Sequence, residues 1–279
     1  LPLQPNRILM REFLIRTFSA VFIVAAILGS ILLHPGAYAV LLLFVVGFGT
    51  FEMARLNGVS HPAHLVVGEL ICISMFSIAA LASLNIIPFK FLWIEFVFPL
   101  LPLLMALFSK EYKFSKIAPF TFASLAFLVV PSALMLFMYR EDFFSHRAGP
   151  SLIILSYALM WVNDTFAYII GSLCGKHKLF PRISPGKSIE GSIGGLIFTI
   201  LGLLIYAHIT ESLSVAEAVG LGLVGVVFGT LGDLCESMLK RQAGVKDSGN
   251  LIPGHGGILD RFDSVMFGVP FIFVYLQLL

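Results

Sequence analysis

Charged residues are scarce in this sequence. They make up 12% of the 279 residues, whereas soluble globular domains carry about 25%. Hydrophobic residues make up 58%, and the mean hydropathy is +0.96. Such a chain has too little polar surface for a soluble fold. Most of it must therefore be solvated by lipid, which permits only helices or a closed barrel.

Alternating hydrophobicity, the mark of barrel strands, is also missing, and the continuous apolar runs favour helices. The three cysteines, Cys72, Cys174 and Cys235, form no CxxC pair and lie in or beside apolar stretches. This spacing argues against a disulfide framework or a zinc cluster.

The first apolar run, 13–33, is long enough to span a bilayer and lacks a small-residue cleavage site, so we expect no cleavable signal peptide.

Nine apolar segments are long enough to cross a bilayer, which takes about 20 residues. They lie at 13–33, 37–56, 65–85, 91–108, 119–139, 152–174, 189–209, 214–239 and 257–278. We therefore predict an all-α, polytopic transmembrane helical protein with about nine spans in one continuous membrane domain. Within it, residues 1–150 would supply about five scaffold spans that contact lipid or a second subunit. Residues 151–279 would form the catalytic spans.

Basic residues are unevenly distributed between the predicted spans. If the N-terminus is cytoplasmic, 15 of the 18 Lys and Arg residues fall on that side, and Lys90, Arg140 and Arg147 fall on the other. This distribution follows the positive-inside rule. We expect a multi-pass protein of the cell inner (cytoplasmic) membrane, with its N-terminus and its active site facing the cytoplasm.

The end of the eighth predicted span carries a polar stripe. Asp233, Glu236, Ser237 and Lys240 are spaced i, i+3, i+4 and i+7, so a helix places them on one face. Ionisable residues at membrane depth are costly and usually functional. An alternative for Lys240 and Arg241 is a helix end whose long cations extend into the interface. That alternative fits the short side chain of Asp233 poorly.

The ninth predicted span begins with two aspartates one turn apart, Asp260 and Asp263. Acidic residues near a helix N-terminus can simply complement the helix dipole, but this alternative explains one aspartate better than two. If the eighth and ninth spans pack together, both aspartates can meet Asp233 and Glu236. Facing carboxylates of this kind suit Mg²⁺, which prefers oxygen ligands.

The loop between these spans, residues 242–257, is rich in glycine and supplies Lys246, Ser248 and His255. Backbone that is free to approach a ligand, followed by a helix N-terminus, is typical of a phosphate cradle. The P-loop pattern GxxxxGK[ST] is missing. His255, considered alone, could instead be a turn residue whose side chain is hydrogen-bonded to the backbone rather than a ligand contact.

A second polar block begins in the sixth predicted span. Asn163 and Asp164 lie inside that span, and the loop after it leads to Lys187, Ser188 and Glu190. Its basic residues could hold anionic head groups or a triphosphate. Alternatively, these basic residues only set the orientation of the spans in the membrane, but this leaves the acidic residues Asp164 and Glu190 unexplained. Carboxylates for a divalent metal, cations for phosphates and a glycine-rich loop together indicate phosphoryl or nucleotidyl transfer to a lipid.

The residue types in these two polar blocks, and the spacing between them, resemble the signature of a known family. The C-terminal pattern is Ser237, Lys240-Arg241, Lys246-Asp247, Gly249, Ile252 to Gly257, Asp260-Arg261 and Asp263. The upstream pattern is Asn163-Asp164-Thr165, Gly175 to Leu179, Ile183-Ser184-Pro185 and Lys187-Ser188. Together they closely resemble the signature of phosphatidate cytidylyltransferases (CDP-diacylglycerol synthases). Departures at Phe166, Gly186 and Ile189 leave the carboxylates intact.

The resemblance implies that CTP and phosphatidic acid give CDP-diacylglycerol and pyrophosphate, with the lipid phosphate attacking the α-phosphorus of CTP. It implies one or two Mg²⁺ ions, leaves a monovalent cation open, and implies a homodimer in the lipid bilayer. We expect no nucleic-acid partner. The implied catalytic residues are Asp233, Lys240, Lys246, Asp260 and Asp263, and the implied metal ligands are Asp233 and Asp260, followed by Glu236 and Asp263. The implied substrate contacts are Asn163, Asp164, Lys187, Ser188, Glu190, Ser237, Arg241, His255 and Arg261.

Three other classes of membrane protein contain similar polar residues. A CTP-dependent lipid-alcohol kinase would share the nucleotide region, but the long match from Lys246 to Asp263 argues against it. A secondary transporter places its polar site near the bilayer midplane and often contains repeats, whereas no repeat is visible here. A CDP-alcohol phosphotransferase would need the pattern DGxxAR followed by GxxxDxxxD, which this sequence lacks.

Overall fold

The structure, a computed structural model, describes residues 5–108, 112–144, 148–254 and 256–279, with side chains from residue 14 onward. The described residues are predominantly helical, which confirms the predicted all-α class. The first half contains α1 (Pro5–Leu33), α2 (Pro35–Leu56), α3 (Pro62–Ser83), two 3₁₀ segments (Phe89–Phe96 and Phe98–Leu100), α4 (Leu101–Phe108), α5 (Phe114–Ser124), a π-helical turn (Leu125–Val129), α6 (Val130–Phe137) and α7 (Glu141–Phe144). The second half contains α8 (Pro150–Cys174), β1 (Lys178–Phe180), β2 (Ser184–Ser188), α9 (Ile189–Thr210), α10 (Val215–Gln242) and α11 (Leu259–Gln277).

Local sequence explains where several helices begin. Pro35, Pro62 and Pro150 occupy the first positions of α2, α3 and α8. A proline is tolerated there because the N–H that it lacks would have no partner within the helix. α10 begins with a capping box, in which Ser214 and Glu217 each accept a hydrogen bond from the other's backbone N–H, at 3.2 and 2.6 Å.

Eight helical segments among the described residues are long and apolar enough to cross a membrane, so the chain is a multi-pass membrane protein. They overlap the first eight predicted spans. The ninth predicted span overlaps α11, which has 19 residues and carries three charged residues, Asp260, Arg261 and Asp263, among its first five. These charges set α11 apart from the eight apolar segments. The total of nine spans and the cytoplasmic N-terminus stay predictions.

Two spans of the first half depart from a regular α-helix. The fourth span begins as 3₁₀ turns at Phe89–Phe96 and becomes α-helical at Leu101. The fifth contains the π-helical turn Leu125–Val129 directly before Pro131. A proline lacks an N–H, and its ring collides with the carbonyl four residues earlier. The widened turn accommodates that carbonyl, so the span continues past the proline.

Polar contacts join the two halves of the chain. Tyr38 of α2 and Tyr157 of α8 are almost completely buried, with their hydroxyl oxygens 3.1 Å apart. The Tyr38 hydroxyl also lies 2.9 Å from the sulfur of Met135 in α6. Ser19 of α1 donates a hydrogen bond to the carbonyl of Pro253 at 3.0 Å. The N-terminal spans therefore pack directly on the C-terminal spans and on the loop before α11.

The backbones of α8 and α9 lie close together at the glycines near the start of α9. A Cβ at Gly191 would lie 2.6 Å from the carbonyl oxygen of Ala167, and one at Gly195 would lie 2.5 Å from Oδ1 of Asn163. Residues without a side chain permit this approach. The segment between the two helices, predicted to be a loop, contains the antiparallel β1–β2 hairpin. Pairing within the hairpin satisfies backbone groups that an open loop would leave to water.

Candidate active site

A polar cavity of about 340 Å³ lies between α8, α9, α10 and the β1–β2 hairpin. Its lining includes five of the predicted site residues: Asn163, Asp164, Lys187, Ser188 and Asp233. Asp164 lies ten residues before the end of α8, and Asp233 lies nine residues before the end of α10. These separations correspond to about 14–15 Å along each helix. The cavity therefore brings polar side chains into the part of the bundle formed by membrane-spanning helices.

Lys187 and Asp233 form an ion pair in this cavity, with their nitrogen and oxygen 2.5 Å apart. Each side chain keeps 26% of its surface exposed, so both remain accessible to a ligand. Ser237, one turn further along α10, donates a hydrogen bond to the other oxygen of Asp233 at 3.2 Å. The carboxylate is thus oriented from two sides, and the lysine beside it is suitably placed to bind a phosphate.

Asn163 and Asp164 border the cavity on α8. The side-chain amide of Asn163 donates to Oδ1 of Asp164 at 3.2 Å. Oδ1 of Asn163 is buried and has no hydrogen-bond partner among the described residues. This oxygen lies against Gly195 of α9, where an added Cβ would be 2.5 Å from it, so it lies at the packed contact between α8 and α9.

Lys240 links α10 to α11. Its ammonium nitrogen lies 2.5 Å from Oε2 of Glu236 and 2.6 Å from Oδ1 of Asp260, and both carboxylates are buried. The alternative in which Lys240 extends into the membrane interface is therefore wrong, because the side chain turns into the protein. A cation shared by two buried carboxylates holds the end of α10 against the first turn of α11.

Asp260 accepts several hydrogen bonds. While Oδ1 pairs with Lys240, Oδ2 accepts from the backbone N–H of Ser248 at 2.9 Å, from the Ser248 hydroxyl at 3.0 Å and from the backbone N–H of Gly257 at 2.8 Å. Gly256 has a φ of +86°, and a Cβ there would lie 2.6 Å from Oδ2 of Asp260. The aspartate therefore holds the loop before α11 in place. Its role as a metal ligand stays a prediction.

Carboxylates outnumber cations where α8, α10 and α11 meet. The ammonium groups of Lys187 and Lys240 are interleaved with five carboxylates, those of Asp164, Asp233, Glu236, Asp260 and Asp263. Excess negative charge inside a membrane bundle is costly, and a divalent cation would offset it. Oxygen donors of this type fit Mg²⁺. Across the described part of the chain, no three His, Cys, Asp or Glu side chains already form a metal-ligand set. Binding would thus require carboxylates to exchange a lysine partner for the ion.

Comparison with known proteins agrees with this chemistry. Residues 14–279 match the profile of the Cytidylyltransferase family. The chain belongs to this family. Similar proteins include the phosphatidate cytidylyltransferases of Staphylococcus aureus (strain COL) and Staphylococcus haemolyticus (strain JCSC1435), each 42% identical over 158 residues. That of Staphylococcus saprophyticus is 41% identical over the same length. Each alignment covers 56% of this chain and 61% of the relative. The family match confirms the resemblance that the two polar blocks indicate.

Two predicted substrate contacts of this family member have partners within the protein. Glu190 accepts hydrogen bonds at 3.1–3.2 Å from the backbone N–H groups of the two residues before β1, and it lies 2.6 Å from Nδ1 of His177. Arg241 donates to the carbonyls of Ile183 and Val245 at 3.4 and 3.2 Å. Both side chains therefore anchor the hairpin that carries Lys187 at the cavity.

The remaining predicted contacts are spread around the candidate site. Ser188 borders the cavity, and its hydroxyl caps α9 by accepting from the backbone N–H of Gly191 at 3.1 Å. Lys246 is exposed on the loop before α11, and Arg261 is exposed on the first turn of that helix. His255 lies outside the described residues. Among the predicted phosphate contacts that the structure describes, Lys187 borders the cavity directly.

Glu52 of α2 is not among the predicted site residues, yet it reaches the site. It is 4% exposed, and its carboxylate accepts hydrogen bonds from the hydroxyl of Ser248 at 2.8 Å and from the backbone N–H groups of Ile258 and Leu259 at 3.0 and 2.9 Å. A signal for it is present in the sequence, because an ionisable residue inside an apolar span is costly and usually has a function. The same signal identifies Asp233.

Proposed function

We propose that this chain is a phosphatidate cytidylyltransferase that converts CTP and phosphatidic acid to CDP-diacylglycerol and pyrophosphate. The observation that carries the proposal is the polar cavity bordered by Asp164, Lys187 and Asp233, inside an apolar bundle of a cytidylyltransferase-family chain. A cavity in membrane-spanning helices suits a substrate with lipid tails and a phosphate head group. The names of the staphylococcal relatives support the same pair of substrates.

The reaction depends on positioning and charge stabilisation more than on covalent help from the protein. A phosphate oxygen of phosphatidic acid forms a bond to the α-phosphorus of CTP. The bond from that phosphorus to the oxygen bridging to the β-phosphate breaks, and pyrophosphate leaves with the bonding electrons. Lys187 would turn from Asp233 toward the triphosphate, and Lys240 would add positive charge near the reacting groups. Asn163 would orient the carboxylate of Asp164 through its side-chain amide.

We also propose that the site uses Mg²⁺. Asp233 and Asp260 would hold it, with Glu236 and Asp263 as further ligands. The bound ion would supply positive charge for the triphosphate and the leaving pyrophosphate. The interleaving of five carboxylates with two ammonium groups supports this proposal, since the cluster is short of positive charge.

The cavity is proposed to open to the cytoplasm at the bacterial inner membrane, and the chain is proposed to act as a homodimer. The distribution of Lys and Arg supports the orientation. A cysteine placed at the exposed Gly186 of the hairpin, in a chain without its native cysteines, should resist a membrane-impermeant thiol reagent in intact cells and react after lysis. Labelling in intact cells would contradict the orientation. The mass of the detergent-solubilised protein, corrected for detergent, tests the dimer.

The reaction is tested with purified protein, phosphatidic acid in mixed micelles, and CTP labelled at the α- or the γ-phosphate. Label from the α-position should enter the lipid. Label entering from the γ-position would support a lipid kinase, and solute uptake into proteoliposomes without CTP consumption would support a transporter. Asp233→Asn should lose nearly all of the transfer from the α-position. Asp142→Asn, which changes an exposed aspartate on α7 outside the cavity lining, should match the unmodified protein.

A further inference from the structure

The carboxylate of Glu52 connects the first half of the chain to the candidate active site. Glu52 lies on the membrane-spanning helix α2 and is 4% exposed. Oε1 accepts from the backbone N–H of Ile258 at 3.0 Å. Oε2 accepts from the backbone N–H of Leu259 at 2.9 Å and from the hydroxyl of Ser248 at 2.8 Å. Both oxygens of this buried carboxylate are therefore engaged with the segment that leads into α11.

α11 lacks a capping side chain at its own N-cap position. That position is Ile258, which has no side-chain oxygen. The first N–H groups of a helix have no partner within the helix, and leaving them buried and unpaired costs free energy. Asp260 accepts from the N–H of Gly257, and Glu52 accepts from those of Ile258 and Leu259. The negative charge of Glu52 also complements the dipole of α11. Glu52 thus caps α11 from a different span.

The loop before α11 approaches Glu52 so closely that glycine is required at two positions. A Cβ at Gly257 would overlap both carboxylate oxygens of Glu52, and one at Gly249 would lie 2.9 Å from its carboxyl carbon. The hydroxyl of Ser248 lies 2.8 Å from Glu52 and 3.0 Å from Asp260, so a single hydroxyl group joins the two carboxylates. A displacement of Glu52 would therefore displace the loop that Asp260 holds.

We propose that Glu52 is a positioning residue for cytidylyl transfer. It fixes the loop at Ser248 and the start of α11, the helix that carries Asp260 and Asp263, relative to α10. The expected effect on turnover rests on the proposed function. Glu52 is not among the residues that line the cavity containing Asp233. Because it acts through Asp260, its loss should slow turnover without weakening the binding of CTP.

The test compares Glu52→Ala and Glu52→Gln with Glu69→Gln. Glu69 is a matched control, since it is a partly buried carboxylate on α3 that borders the same apolar groove of about 720 Å³ as Glu52. The alanine variant removes all three acceptor contacts. The glutamine variant keeps one acceptor oxygen and turns an amide NH₂ toward at least one donor. The measurements are kcat, KM for CTP, and backbone hydrogen exchange over residues 248–262.

We expect kcat to fall at least about tenfold in Glu52→Ala, with KM for CTP within about twofold of the unmodified value. Glu52→Gln should lose less, and Glu69→Gln should match the unmodified protein. Exchange should accelerate within residues 248–262 and stay unchanged in α8 and α9. This combination separates a local displacement of the loop from a general loss of stability.

Several results would overturn the proposal. An unchanged kcat in Glu52→Ala would do so, as would a raised KM for CTP with unchanged kcat, since that pattern indicates direct substrate binding. Accelerated exchange throughout the chain would show a general structural role instead. If the alanine variant does not fold, Glu52→Gln decides by the same criteria. Failure of the unmodified protein to transfer label from CTP refutes the proposed function, and the exchange data then test the hold of Glu52 on residues 248–262 by themselves.

Discussion

Replacing Lys240 with methionine tests whether this cation holds α10 and α11 together. Methionine keeps a long, flexible side chain but removes the charge. The carboxylates of Glu236 and Asp260, 0% and 3% exposed, would then face each other without a shared partner. Removing one partner of a buried ion pair destabilises a protein by about 3–5 kcal/mol, because the other partner stays buried and charged.

This free energy can be measured as a change in melting temperature. For a chain of about this size, 1 kcal/mol corresponds to roughly 2–4 °C, so Lys240→Met should melt about 6–20 °C lower in detergent. Lys246→Met is the control, because Lys246 is exposed on the loop and should change stability by less than about 0.5 kcal/mol. Turnover by Lys240→Met should also fall, since the first turn of α11 would lose its hold on α10.

Equal melting temperatures for Lys240→Met and Lys246→Met would refute this reasoning. A double variant then separates charge from packing. Adding Glu236→Gln to Lys240→Met removes one of the two unpaired carboxylates and should recover part of the lost stability. If the double variant melts as low as Lys240→Met alone, lost packing of the lysine stem is the cause rather than unpaired charge.

Three further predictions concern the cavity and its hairpin. Asp233→Asn should lower turnover by about 100- to 1,000-fold and leave the melting temperature nearly unchanged, because the side chain is partly exposed; full turnover would remove Asp233 from the site. EDTA should stop label transfer and added Mg²⁺ should restore it, whereas turnover insensitive to the chelator would contradict the metal proposal. Glu190→Ala should lower kcat/KM for CTP by about 10- to 100-fold and accelerate hydrogen exchange in residues 176–188, because the hairpin carrying Lys187 loses its anchor. Unchanged exchange there would contradict that role.

The positions of the spans and the polar face of α10 could be predicted from sequence for simple physical reasons. The length of an apolar run sets a span, and a proline such as Pro35 or Pro150 marks where a helix begins. The period of 3.6 residues per turn places Asp233 and Ser237 on one face, and the two are hydrogen-bonded. Spacing within one helix does not reveal which other helix that face meets. The inward turn of Lys240 therefore required the structure.

The contacts of Glu52 and Glu190 were beyond sequence reasoning for a related reason. Glu52 bonds to Ile258 across 206 residues, and no local pattern indicates that α2 reaches the start of α11. Glu190 follows a stretch whose basic residues suggest phosphate binding, yet its carboxylate is engaged by backbone N–H groups of its own loop. Both cases concern backbone N–H donors, which every residue except proline carries and which leave no pattern in the sequence. The family was easier to predict because it depends on rare residue types at fixed spacing.

The boundary near residue 150 separates two kinds of sequence, but the contacts that cross it bear directly on the site. Without α2, two backbone N–H groups at the start of α11, those of Ile258 and Leu259, would lose the acceptor Glu52. The hydroxyl of Tyr157 would lose its partner Tyr38. Each buried polar group left unpaired costs about 1–3 kcal/mol, and the whole stability of a typical domain is about 5–15 kcal/mol. Residues 151–279 alone would therefore lack much of the stability that keeps α11 in place. The N-terminal spans, though nearly free of polar chemistry, therefore hold in place the helix that carries Asp260 and Asp263.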